Sequence, residues 1–135
     1  MNITKIIISY LLTAVVFFAI DIVWLGFIAK NLYQKYLGTF LSDQVNWVAA
    51  IIFYLIYIIG ISIFAIYPSV NKDSVVNAIL LGALFGAIAY ATYDLTNLAT
   101  LKNWPIQIVF IDIVWGAVLT AIVSFAGFYI VKMIG

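Results

Sequence analysis

Residues 6–29 read IIISYLLTAVVFFAIDIVWLGFIA, an apolar run interrupted by a single acid, Asp21. A helix rising 1.5 Å per residue needs about 20 such residues to cross a bilayer core, so the stretch is long enough to span one. Three more runs, residues 45–67, 75–98 and 105–131, share this character and are separated by short polar breaks. None shows the alternation of a barrel strand, and backbone groups in lipid must pair within their own segment, so helices are the reading. The expected fold is an all-α integral membrane protein: one transmembrane domain over residues 1–135, a four-helix bundle with short loops.

Composition supports this. The chain is 67% hydrophobic and 8% charged, which excludes an ordinary soluble domain. A net charge of +1 provides no basic patch, so nucleic acid is not an expected partner. Without cysteine there is no disulfide, thiolate metal site or redox thiol. Lys5 before an apolar run imitates a signal peptide, but the run is long, contains Asp21 and lacks a small-residue cleavage site, so it is read as a retained helix. The longest loop, residues 30–44, places Leu32, Tyr33, Tyr36, Leu37, Phe40 and Leu41 near helical spacing beside Lys30, Lys35 and Asp43. A short helix lying in the interface and a solvated connector with aromatic anchors both fit.

Lysines are divided evenly between the two sides: Lys5, Lys72 and Lys132 on one, Lys30, Lys35 and Lys102 on the other. The positive-inside rule therefore leaves orientation open, and an antiparallel homodimer is a candidate beside a fixed but weakly specified topology. Trp47 and Trp104 at helix starts on one face, with Tyr10, Tyr67 and Tyr129 toward the other, are expected as interfacial anchors.

Function is carried by three of the five acidic residues. Asp21, Asp94 and Asp112 lie inside spans, where a carboxylate costs roughly 2.5–3.5 kcal/mol on insertion scales and usually marks an ion, proton or substrate site. In alternating crossings they share one leaflet, roughly 12, 6 and 10 Å deep by residue count, with Asp94 at the mouth. Their helix faces are polar or small. Ser9, Thr13, Phe17 and Asp21 step by four in the first helix; Asp112, Gly116, Thr120 and Ser124 do so in the fourth. The third presents Gly82, Gly86, Tyr90 and Asp94, with Asn97 one turn on, and its GxxxG pair permits close backbone approach. Trp24 and Trp115 each follow an aspartate by three residues and can wall the same site. The repeated Asp-Ile-Val-Trp string lies on helices of opposite direction and reads as local similarity, not an inverted repeat.

The inventory removes much chemistry. No His, Cys, Glu or Arg is present, so haem ligation, zinc sites, Ser-His-Asp catalysis and an arginine phosphate clamp fall away. Lysines lie at helix ends, which argues against Schiff-base chemistry. No cofactor is expected, and catalytic and metal roles stay unassigned. A hard cation could be held by Asp21, Asp94, Asp112, Asn97 and backbone oxygens; a proton is the other natural ligand of such acids. Trp24, Trp115, Tyr90 and Tyr93 could add cation–π contacts to an amine or a choline-like lipid headgroup. Three functions follow: binding or moving a cation, proton or amine-bearing small molecule; a lipid-modifying enzyme or enzyme subunit; and a structural partner in a membrane complex. Whether the chain is an enzyme stays open.

The stretch Ala89-Tyr-Ala-Thr-Tyr-Asp-Leu-Thr-Asn-Leu-Ala-Thr-Leu-Lys-Asn-Trp-Pro105, with Phe53-Tyr-Leu-Ile-Tyr57, Gly82-Ala-Leu-Phe-Gly86 and the two Asp-Ile-Val-Trp segments, resembles a family of small bacterial membrane proteins of unknown function, DUF2177. The resemblance implies four helices in a bacterial inner membrane and no particular activity. Tyr93, Asp94, Asn97 and Trp104 carry over as motif positions without roles.

Overall fold

The computed structural model describes residues Met1–Gly135. Its helices are α1 (Ile3–Ile28), α2 (Lys30–Leu37), α3 (Trp47–Asn71), α4 (Val75–Thr100) and α5 (Ile106–Ile134). All but α2 are long and apolar enough to cross a membrane. Local chemistry sets their starts. Side-chain oxygens of Asn2, Asn46 and Ser74 accept from the backbone N–H of Lys5, Ala49 and Asn77 at 2.9, 3.1 and 3.1 Å, satisfying amides that a helix start leaves free. Asp73 and Asn103 take positive φ (51° and 61°) in the turns before α4 and α5, a conformation their short polar side chains tolerate.

Two spans widen locally. Trp24–Ile28 and Ser62–Ile66 take π geometry, with Ala29 N–H bonded to Trp24 O and Tyr67 N–H to Ser62 O. In α3 the wide turn directly precedes Pro68, whose ring has no N–H and crowds the carbonyl four residues back; a shifted hydrogen-bond register accommodates both.

Helix α5 is the hub, packed along α4 and also against α1 and the wide turn of α3. Phe17, Ile58, Ile61, Leu119 and Val123 fill the centre, while residues such as Phe27, Ile56, Phe64 and Phe110 face outward. Because lipid is as apolar as these side chains, close packing and polar contacts, not apolar burial, hold the helices together. The four-residue stripes read from sequence are the buried faces: Ser9, Thr13, Phe17 and Asp21 in α1, and Asp112, Gly116, Thr120 and Ser124 in α5. Two of their four hydroxyls serve local bonds, Ser9 Oγ to Lys5 O at 2.8 Å and Thr13 Oγ1 to Ser9 O at 2.7 Å, and Ser124 Oγ has no partner. Thr120 instead joins Tyr57 OH across helices at 2.8 Å.

Gly82 and Gly86 of α4 meet α5 at backbone distance. A Cβ on Gly82 would lie 2.7 Å from Thr120 O, and one on Gly86 would lie 2.6 Å from Thr120 Oγ1 and 2.7 Å from Gly116 C. The 30–44 loop resolves into α2, docked on the bundle: Leu37 is buried with Trp104, Ile108 and Val109, and Tyr33 and Tyr36 pack against them. Trp104 is therefore not the interfacial anchor expected from its position. It is only 7% exposed, because α2 and Phe40 cover it, whereas Trp47 is 66% exposed.

Gly86→Ala should destabilise the bundle by about 1–3 kcal/mol, since the methyl meets backbone that cannot yield. Gly26→Ala, where a Cβ meets nothing within 4 Å, should leave stability nearly unchanged. Melting temperatures of both variants in one detergent check the contrast.

Candidate functional site

Helix α1 supplies Asp21 and Trp24, and α5 supplies Asp112 and Trp115. Packing the two helices stacks the indoles nearly parallel, with centroids 4.3 Å apart and planes 8° from parallel. From Trp24 a polar chain runs inward: its Nε1–H donates to Tyr33 OH at 3.1 Å, and Tyr33 donates to Asp112 Oδ1 at 2.5 Å. The second bond has the short length of a hydroxyl donating to a carboxylate. Burial, reinforced by Asp112 as acceptor, pushes the Tyr33 phenol well above its ordinary pKa, so it remains a donor across physiological pH. Asp21 has its own partner, Tyr54 of α3, whose hydroxyl donates to Oδ2 at 2.9 Å. The Trp115 indole N–H lies beside Asp21 and completes no hydrogen bond.

Asp21 and Asp112 border one cavity of about 510 Å³, together with Trp24, Trp115, Tyr90 and Tyr93. Tyr33, Phe53 and Tyr54 close it from α2 and α3. No lysine reaches it. The chain's ion pair, Lys132 with Asp73, sits at the far end of α5 and is exposed. The two cavity acids thus have hydroxyl donors but no countercharge.

Asp94 and Asn97 do not border the cavity. Asp94 was expected at the mouth and is instead fully buried, at 0% exposure, because close approach of α4 to α5 seals its face. Its carboxyl neighbours Asp112 without itself lining the cavity, and neither oxygen completes a hydrogen bond. Trp104 faces it with an indole N–H that likewise lacks a partner. Asn97 is half-buried near Tyr93. The three aspartates therefore do not form the joint cation cage that their shared leaflet suggested, and no group of three acidic residues could hold a metal ion. Asp21 is drawn toward α3 by Tyr54, while Asp94 lies behind Asp112.

The family described as "Predicted membrane protein (DUF2177)" matches residues 6–129. The chain belongs to this family. Neither the curated proteins nor the solved structures give a match. For DUF2177, then, the site must be read from its own chemistry, and two of its donors escaped the sequence reading. Tyr33 stood in the 30–44 segment as one of several amphipathic residues, and Tyr54 in the Phe53–Tyr57 motif. Neither position shows by spacing that its hydroxyl meets an aspartate from another helix.

Tyr33→Phe in this DUF2177 member removes the donor to Asp112 and leaves the Trp24 N–H unpaired. A hydrogen bond to a charged group contributes roughly 1.5–3 kcal/mol, so the melting temperature should fall, and the Trp24 environment should change in indole fluorescence. Tyr54→Phe should lower the melting temperature with a smaller fluorescence change, because no indole bonds to Tyr54.

Proposed function

We propose that this protein binds an amine-bearing, amphiphilic small molecule within the membrane, its cationic group between Asp21 and Asp112 and its apolar part against the aromatic walls. The observation that carries the reading is the pairing of two acids with an aromatic cavity that contains no basic side chain. Aromatic faces attract cations, by about 2 kcal/mol or more when desolvated, and a carboxylate in low dielectric attracts them more strongly still. An amine therefore satisfies both kinds of wall. A bare metal ion suits the site less well, since the lining offers two separated carboxylates and few other oxygens. A volume of about 510 Å³ accommodates a drug-sized molecule. The helical architecture supports placing the site in an inner membrane, because outer-membrane spans are barrels. Carriage of the bound cation across the membrane in exchange for protons extends the same reading.

Benzyltrimethylammonium is a suitable probe, since its charge is permanent and any pH dependence belongs to the protein. Asp21→Asn and Asp112→Asn should each weaken its binding at least tenfold, about 1.4 kcal/mol. Trp24→Leu and Trp115→Leu should weaken it by a factor of about 5–30. Asp73→Asn at the far end should have no effect. A proton competes with the cation for a carboxylate, so affinity should fall as pH is lowered. Calorimetric titration in detergent across pH measures all of this; wild-type affinity retained in the double Asn variant would remove the reading.

A further inference from the structure

Behind the cavity lies a second polar cluster that ligand binding does not explain. Asp94 of α4 is fully buried, its neighbour across the helix contact is Asp112, and Trp104, also more than nine-tenths buried, faces it with an unpaired indole N–H. The other titratable groups at the pair are Tyr93, beside both acids, and Tyr33 of α2, on Asp112, and no lysine acts on either. An ionised carboxylate can only accept hydrogen bonds. With both acids ionised, Asp94 and Asp112 would face each other as two acceptors and two like charges, and the one donor facing Asp94, the Trp104 N–H, completes no hydrogen bond to it. One proton removes both conflicts: a protonated Asp94 carries an O–H, and Asp112 offers an acceptor already fixed on its other side by Tyr33.

We propose that Asp94 and Asp112 form a one-proton dyad, with Asp94 held as the neutral acid donating to an ionised Asp112. Tyr33, on the cavity side, and Asp94, on the protein side, then both donate to the same carboxylate. This arrangement keeps Asp112 anionic and turned toward the ligand while Asp94 stores a proton out of reach of the cavity. If a cation seats on Asp112, a step that rests on the reading above, it neutralises the charge that holds the proton. The Asp94 O–H bond then breaks with its electron pair left on Asp94, and the proton crosses to Asp112, which borders the cavity, and is released from there to solvent, so that one positive charge enters as one departs.

Infrared difference spectroscopy of the full protein in detergent tests the dyad without any ligand. At neutral pH the wild type should show the C=O stretch of one protonated carboxylic acid. The band should be lost in Asp94→Asn, shifted in Asp112→Asn as the acceptor changes, and unmoved in Asp21→Asn. A missing band in the wild type, or one lost only in Asp21→Asn, overturns the dyad. Because Asp112→Asn reads a shift and not a loss, the test survives even if Asp94→Asn fails to fold. Exchange is tested separately, by adding benzyltrimethylammonium to lightly buffered protein: one proton should appear per probe bound, and none in Asp94→Asn. Probe binding with an unchanged band and no proton release overturns the exchange. No probe binding beside an intact band overturns the ligand reading and leaves the dyad standing.

Discussion

Gly86 of α4 and Gly116 of α5 meet without side chains between them, and the positions of the polar groups follow from how closely they come. A Cβ on Gly116 would lie 2.9 Å from Gly86 O. In a bilayer no expulsion of water drives the helices together, so such approach supplies the dispersion contacts that hold the pair. One turn from the crossing, Thr120 reaches Tyr57 of α3; in the other direction, Tyr90 is laid over Gly116 and Asp94 is sealed beside Asp112. Had either glycine carried a side chain, the helices would separate, and both the cavity wall and the buried acid pair would open.

The cost of carboxylates in hydrocarbon explains the rest of the architecture. Each buried acid bordering the cavity has recruited a tyrosine from a different element: Tyr54 from α3 for Asp21, Tyr33 from α2 for Asp112. Helix α2 is too short to span a membrane, yet it closes the cavity and supplies the donor that fixes Asp112. Its docking through Leu37 against Trp104, Ile108 and Val109 is thus part of the site. Hydroxyl donors stabilise these acids without cancelling their charge, and lysine would have done both. No lysine lines the cavity, so the chain itself supplies these acids with no countercharge.

The site is asymmetric despite the repeated Asp-Ile-Val-Trp string. Trp24 donates to Tyr33, whereas the Trp115 N–H beside Asp21 remains unpaired. The indoles still stack because the two strings lie on packed helices with the tryptophan one turn from the acid in each. The similarity therefore fixes the pair as a wall, and the neighbouring helices determine which acid each one serves.

Four spans, their approximate limits and their buried faces were determined by the sequence itself. Helix length in lipid is set by local hydropathy, and the faces of α1, α4 and α5 by the spacing of Ser, Thr, Gly and Asp along one chain segment. Asp21, Asp112, Trp24, Trp115, Tyr90 and Tyr93 lie on helix faces that such spacing marks, and in the structure they line one cavity. What only tertiary structure decided are relations between segments: the docking of α2, the donors Tyr33 and Tyr54, the burial of Trp104, and the place of Asp94 behind Asp112 instead of at a mouth. Periodicity places a residue on a face and at a depth. Which other helix meets that face, and how closely, depends on side chains distant in sequence. A shared leaflet therefore could not tell a cage of three acids from one cavity acid held by Tyr54 and a second backed by a buried partner.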